Sequence, residues 1–272
     1  MKKKKMVSVI VPAYKQEKSI VVDVKNIDDA MSQTRFDHEI LVVVDGFLDK
    51  TFENAKKIKR KKVKVLGYET NKGKGYAIRY GMARAKGDYI AFIDAGMDID
   101  PNGISLILEH LEWYNADIIV GSKRHPASKI NYPFFRKVYS WGYHVFVKIL
   151  LGVTVKDTQS GLKVFKREVL EAVLPRLLVK EFAFDVEILS VARYLGFKRI
   201  FESPIYLNWK EDNTNFTPFL IFDKNIRNMI KDTLAVFYRL RILNYYSDRK
   251  KRKWEYDKEL DMKINTGETL NA

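Results

Sequence analysis

The chain has 272 residues, 46% of them apolar, and a formal net charge of +15; this is apolar content enough for one large α/β domain, with or without an extension. It contains no cysteine, which excludes disulfides and thiolate metal centres and suits a reducing cytoplasm. No apolar run reaches the roughly 20 residues that span a bilayer, and the stretch after the basic start Met1–Met6 is cut by Pro12, too short for a signal sequence.

In chain order, Val7 to Val11 is a β-branched run ending at Pro12-Ala13-Tyr14, a first strand. A helix-compatible stretch covers about 19–31. Glu39 to Val44 is a second buried strand, closed by the Asp45-Gly46 turn signal. Residues 49–60 read as a helix, 63–66 as a strand, 75–86 as a helix and 89–93 as a strand. This alternation predicts an α/β fold, a mainly parallel sheet with helices on both faces. The second half is less regular. It holds a helix over 104–114, a strand over 117–120, a long aromatic-rich helix over 133–151, a helix over 185–195 and a strand near 198–202. Apolar and basic residues then alternate at helical period over 219–246. The organisation expected is a globular domain over 1–215, an amphipathic helical segment over 216–246 and a charged, flexible tail over 247–272.

Charge is concentrated. Lys56 to Lys64 carries seven basic residues in nine, and Asp248 to Lys253 is a second basic block. Either block is a solvated face or an anion-seeking patch. With no nucleic-acid motif nearby, a membrane surface ranks above DNA or RNA.

The strand over 89–93 runs into Asp94-Ala95-Gly96-Met97-Asp98-Ile99-Asp100-Pro101. Ligands of open α/β sheets bind at the carboxyl ends of strands, and acids gathered there suit Mg²⁺ or Mn²⁺ carrying a diphosphate. Asp94 and Asp98 are the metal candidates. Asp100, just before Pro101, is assigned to capping the next helix; the alternative is that these acids only cap. Asp45 either closes a turn or contacts a nucleotide base or ribose. Lys72-Gly73-Lys74-Gly75 lets backbone amides approach a phosphate at a helix start, without full P-loop spacing. Arg136, Ser140 and His144 share one helix face and, with Arg124, form either a phosphate grip or a polar surface stripe. Asp157-Thr158-Gln159-Ser160-Gly161 is a polar loop between apolar stretches, either a plain turn or an active-site loop. Asp185 is expected to be an N-cap, Glu187 to face the cleft, and Trp209-Lys210 to begin a covering lid.

Several segments taken together carry a resemblance: Val9 to Tyr14, Asn71 to Ala77 with Arg79 and Gly81-Met82, Gly121-Ser122, Asp157-Thr158-Gln159 with Gly161 and Lys163, and Phe184 to Leu189. The chain resembles the inverting family-two glycosyltransferases of GT-A fold over about residues 6–245. Among them it is most similar to the synthases that load sugars onto dolichyl and other polyprenyl phosphates. The resemblance implies a GT-A catalytic domain over 1–215 and metal-dependent transfer of a hexose, glucose from UDP-glucose, to a polyprenyl phosphate on the cytoplasmic face of a membrane. A GDP-mannose donor or a saccharide hydroxyl acceptor stays open as an alternative, as does a non-catalytic nucleotide-sugar-binding module.

Residue by residue, the resemblance implies a nucleotide-sugar site formed by Pro12, Ala13, Tyr14, Glu17, Asp45, Lys72, Gly73, Lys74, Asp94, Ala95 and Gly96. Mg²⁺ or Mn²⁺ would be held by Asp94 and Asp98, and the acceptor phosphate met by Arg124, Arg136, Ser140 and Trp209. Asp94, Asp157, Arg124 and Arg136 are the catalytic candidates. The chain departs from the pattern at three places: Val44 replaces an Asp, Gly46-Phe47 replaces Gly-Ser, and Gly96 takes the second Asp of the Asp-x-Asp signature. Asp98 must then compensate if a metal is bound. The segment over 224–246, with Arg227, Lys231, Arg239 and Arg241 among apolar residues, either lies on a membrane or packs on the domain.

Overall fold

The apolar runs are strands buried on both faces. β1 (Met6–Ala13), β2 (Asp37–Asp45) and β4 (Tyr89–Ile93) are buried almost throughout, as strands are in a sheet covered on both sides. The computed structural model describes residues 4–96, 99–128, 134–207, 224–248 and 252–269, with the side chains of 134–139, 225 and 269 outside that set. These strands join β3 (Val63–Tyr68), β5 (Ile118–Ser122), β6 (Leu162–Lys166) and β7 (Ile200–Pro204) in one seven-stranded sheet, in the order β3-β2-β1-β4-β6-β5-β7. Every strand runs parallel to the others except β6, which is antiparallel to both β4 and β5.

Period-two alternation along each strand divides the interior into two cores. Ile10, Leu41, Ile90 and Phe92 pack with α3 (Lys74–Ala83), α5 (Phe134–Leu151), α6 (Arg167–Val173) and α7 (Phe184–Tyr194). Val7, Val9, Val11, Ala91 and Ile93 pack on the opposite face with α1 (Ile20–Ser32) and α4 (Gly103–Trp113). The parallel strands deliver their carboxyl ends to one edge, and antiparallel β6 begins there. Ala13, Asp45, Asp94, Ser122 and Gly161 therefore meet along that edge.

Some elements differ from the sequence pattern. β6 and α6 were not expected, because Lys163 interrupts a short apolar run; that lysine is nonetheless fully buried. The helix expected over 49–60 is α2 (Thr51–Lys56). Beyond it the crowded like charges of Lys56 to Lys62 oppose helical i,i+4 neighbours. The tail expected to be flexible instead contains a hairpin, β8 (Arg252–Asp257) paired antiparallel with β9 (Met262–Thr269). Leu260 and Asn265 are buried in it, and the Tyr245 hydroxyl donates to the Asn265 carbonyl at 2.7 Å. The net charge of this segment masked an alternation of aromatic and charged residues around Trp254 and Tyr256. Before the hairpin, α8 (Lys224–Phe237) continues into a π-helical turn over Tyr238–Ile242.

Glu187 does not face the cleft. It is fully buried, accepts from the amides of Leu178 and Val179 at 3.0 and 2.8 Å and from the Tyr246 hydroxyl at 2.6 Å, and lies 3.3 Å from Arg239. It ties α7 to the C-terminal segment.

At the opposite end of the sheet, Glu39 is buried and accepts from Ser8, Lys64 and the Lys86 amide at 2.8 Å each. Burial opposes its ionisation, but these donors outweigh burial and hold its pKa below the ordinary value. The stability it contributes is complete above the unfolded carboxyl's pKa of about 4.3 and is lost as pH falls through the lower folded value. Glu39→Gln is therefore expected to flatten the acid limb of a Tm-versus-pH curve; an unchanged acid limb would contradict this.

Candidate active site

On one side of the site, Asp45 ends β2 and organises the loop before α3. Its Oδ1 accepts from the Tyr68 hydroxyl at 2.9 Å and the Lys72 amide at 2.8 Å; its Oδ2 accepts from Asn71 Nδ2 at 2.8 Å and the Gly73 amide at 3.0 Å. Four donors fill the acceptor capacity of a carboxylate. The side chain, 3% exposed, thus holds the loop, and a direct bond to a nucleoside would require it to release a donor. Burial and the Asp45 charge push the Tyr68 hydroxyl's pKa far up, so it remains a donor. Gly73 has φ +100°, and a Cβ there would lie 2.6 Å from the Lys180 carbonyl; only glycine fits this turn.

The two lysines of the loop part company. Lys72 Nζ lies 2.6 Å from Glu259 Oε2, in the turn of the C-terminal hairpin, and 4.9 Å from the centre of the Tyr76 ring. Lys74 Nζ instead donates to Asp94 Oδ2 at 2.7 Å. Burial lowers the Lys74 pKa, but the charges of Asp94 and Asp185 outweigh it and hold the ammonium above its ordinary value. Pro12 and Ala13 end β1 beside this site, and the exposed Tyr14 follows. Glu17 is turned toward α2, accepting the Lys50 amide at 3.2 Å.

Asp94 leaves β4 with its amide donating to the Gly161 carbonyl at 3.0 Å. Its Oδ1 is buried and has no hydrogen-bond partner among the described residues. A hard cation fits that oxygen: Mg²⁺ takes one or two carboxylates and completes its shell with phosphate and water. Among the described residues no three His, Asp or Glu side chains gather into a closed metal cage. The Gly96 amide donates to Asp23 Oδ2 at 2.9 Å, so a buried acid from α1 fixes the turn after Asp94. Ala95 lies between them. Asp98, the second metal candidate, lies outside the described residues. Asp100 makes a turn with Asn102, accepting its amide at 2.9 Å, one residue before α4 begins.

On the other side of the site, Arg124 and Ser140 meet: the guanidinium donates to Ser140 Oγ at 2.7 Å. Burial lowers the Arg124 pKa, and Asp157 and Glu202 partly restore it. One turn along α5, His144 Nδ1 is buried with no partner among the described residues, and burial with the charges of Arg124 and Lys148 depresses its pKa. Asp157 Oδ2 accepts the Lys123 amide at 2.8 Å, and Glu202 Oε1 accepts the amides of Lys156 and Asp157 at 3.0 and 3.1 Å. Asp157 thus shapes the turn that presents Arg124. The Arg136 side chain and Trp209-Lys210 lie outside the described residues.

Asp185 is not an N-cap. It is the second residue of α7, and its carboxylate accepts from Lys163 Nζ at 2.6 Å. Sequence reasoning also missed Asp23, Glu202 and Glu259, each an acid that pins a site loop from a distant part of the chain.

A mainly parallel sheet thus carries strand-end acids on one side of its edge and the hydrogen-bonded Arg124–Ser140 pair on the other. Residues 8–174 match the family described as Glycosyl transferase family 2, and the chain belongs to that family of glycosyltransferases. Among curated relatives, it is 34% identical over 259 residues to a dolichyl-phosphate beta-glucosyltransferase of Homo sapiens, covering 88% of this chain and 76% of that protein. A protein of the same name from Drosophila melanogaster is 33% identical over 78% of this chain and 69% of its own length. Among solved structures, glucosyl-3-phosphoglycerate synthase from Mycobacterium tuberculosis, in complex with Mn²⁺, UDP and glucosyl-3-phosphoglycerate, superposes with a TM-score of 0.64 at 18% identity, covering 96% of this chain and 87% of that one. That likeness establishes the GT-A fold.

Proposed function

We propose that this glycosyltransferase moves glucose from UDP-glucose to the phosphate of a polyprenyl phosphate, at the cytoplasmic face of a membrane. The observation that carries the reading is one loop, 157–161, touching both halves of the site. Gly161 lies against Asp94, and Asp157 holds the turn of Lys123-Arg124. The names of the relatives support glucose and a dolichyl-type acceptor. The UDP and Mn²⁺ of the solved neighbour support the donor and the metal.

Asp94, through its free Oδ1, would hold Mg²⁺ or Mn²⁺ together with Asp98. The bound ion supplies charge neutralisation for a departing nucleoside diphosphate. Lys74 fixes the Asp94 carboxylate and adds a positive charge beside the diphosphate. A phosphate monoester has a second pKa of about 6 and is largely dianionic at neutral pH, so its oxygen attacks C1 without a strong base. The task left to Arg124 and Ser140 is alignment.

The C-terminal helix supports a membrane setting. Thr233, Val236 and Leu240 are buried, whereas Ile230, Leu234, Tyr238 and Ile242 form a second, exposed stripe at intervals of four. Trp141 and Ile149 of α5 are also exposed, the latter at 76%, and the Tyr143 hydroxyl is 2.9 Å from Thr233 Oγ1, so the two helices adjoin. Exposed Lys148, Arg227, Lys231 and Arg241 accompany this apolar surface. Such a surface suits an anionic bilayer interface. No helix among the described residues is long and apolar enough to cross a membrane.

Changing Ile230, Leu234, Tyr238 and Ile242 together to serine is expected to cut co-sedimentation with anionic vesicles at least tenfold while leaving turnover of a short-chain acceptor intact. Unaltered vesicle binding would contradict the interfacial role.

The function is tested by incubating the protein with labelled UDP-glucose or GDP-mannose, polyprenyl phosphate and Mg²⁺ or Mn²⁺. Label from UDP-glucose is expected in the organic phase. Label entering only from GDP-mannose, or only into water-soluble saccharide, would overturn the reading.

A further inference from the structure

Beneath the site lies a charge pair that binding and chemistry, as described so far, do not use. Lys163 is fully buried on β6. Its ammonium donates to Asp185 Oδ1 at 2.6 Å and to the Ser160 carbonyl at 2.7 Å, and lies 5.1 Å from the centre of the Phe92 ring. The side chains of Lys163 and Asp185 are 0% and 4% exposed. A pair this deep forfeits hydration at both ends, and well-packed apolar residues in its place are often at least as stable. Stability alone is a poor reason for it.

Its third contact suggests a better one. By gripping the Ser160 carbonyl, Lys163 pins the loop 157–161 from below. The next residue, Gly161, accepts the Asp94 amide and approaches so closely that a Cβ would fall 2.1 Å from Asp94 Oδ2. The far end of the loop carries Asp157, fastened to the Lys123 amide. Five residues thus span the donor-side acid and the acceptor-side arginine, and one buried ammonium holds their centre. Asp185 also contributes to the field at Lys74, the lysine bonded to Asp94.

We propose that Lys163 and Asp185 are positioning residues: the pair sets the loop 157–161, and through it the placement of Asp94 relative to Arg124, hence of the leaving diphosphate relative to the attacking phosphate. This rests on the transfer reaction proposed above. A misplacement of about 1 Å can cost on the order of a hundredfold in rate.

The test uses the full chain carrying Lys163→Met alone and Lys163→Met with Asp185→Leu. The single change strands a buried carboxylate and is expected to lower Tm markedly. The double change is expected to restore Tm to within a few degrees yet leave kcat at saturating substrates about a hundredfold low, with UDP affinity within threefold of the parent. Amide hydrogen exchange at Asp94 and across 157–161 is expected to accelerate in the double variant while core strands stay protected. A double variant that regains Tm, kcat and amide protection would overturn the proposal, as would equal losses everywhere. If the double variant does not fold, Lys163→Arg serves, since it keeps the charge but moves the donors. A folded Lys163→Arg protein at least tenfold low in kcat supports the proposal, and full kcat overturns it. A parent that transfers no sugar would defeat the functional reading instead, and the exchange data would still judge the pair.

Discussion

Asp94→Asn is expected to lower kcat by about a thousandfold, or ~4 kcal/mol of transition-state stabilisation, while Tm moves by no more than a few degrees. Asp94 directly follows β4, where the sheet delivers its ligand-facing groups. One oxygen is held by Lys74 and the other is buried with no partner among the described residues. Asparagine preserves size and the backbone bond to Gly161 but removes the anionic oxygen that a hard cation needs. Little stability is lost because the asparagine carbonyl still accepts from Lys74 and the ion pair it replaces is partly exposed, 22% and 35% at its two side chains. Steady-state kinetics beside a thermal melt check both halves. A folded variant within threefold of parental kcat would remove Asp94 from the metal site.

Arg124→Ala is expected to raise the KM for the phosphate acceptor by ten- to a hundredfold, with the donor KM changed less than threefold. A hydrogen bond to a charged group is worth about 1.5–3 kcal/mol, and the guanidinium is already oriented by Ser140 at 2.7 Å. Lysine at this position is expected to recover only part of the loss, since it lacks the planar fork. Equal losses in donor and acceptor KM would place Arg124 in general site structure.

The first half of the fold was legible because its strands are short, apolar and separated by turn and helix signals. Tyr89 to Ile93 running into Asp94 is the clearest instance. β6 was hidden by Lys163, whose burial depends on an aspartate 22 residues away. The hairpin over 252–269 was hidden by its charge. Within the site, Lys74 and Asp94 come together as the strand-end pattern suggests, and so do Arg124 and Ser140. Lys72 carries the same local signal as Lys74, yet its ammonium meets Glu259, 187 residues along the chain. Asp23 is bonded to Gly96 across 73 residues. Such contacts exist only once the sheet has formed, and no spacing in the sequence announces them. Asp185 and Glu187 looked like a helix start facing the cleft; they became buried hubs because β6 and the C-terminal segment close over α7.

We expect Asp94 to gather a cation against a nucleoside diphosphate at the edge of the sheet. A crystal of the protein grown with UDP and Mn²⁺ tests it most directly, since anomalous scattering locates the ion without reference to activity. Manganese is expected at about 2.1 Å from Asp94 Oδ1, a distance set by the hard-cation radius, and in contact with diphosphate oxygens. UDP bound with Asp94 turned away, or manganese held elsewhere, would contradict it.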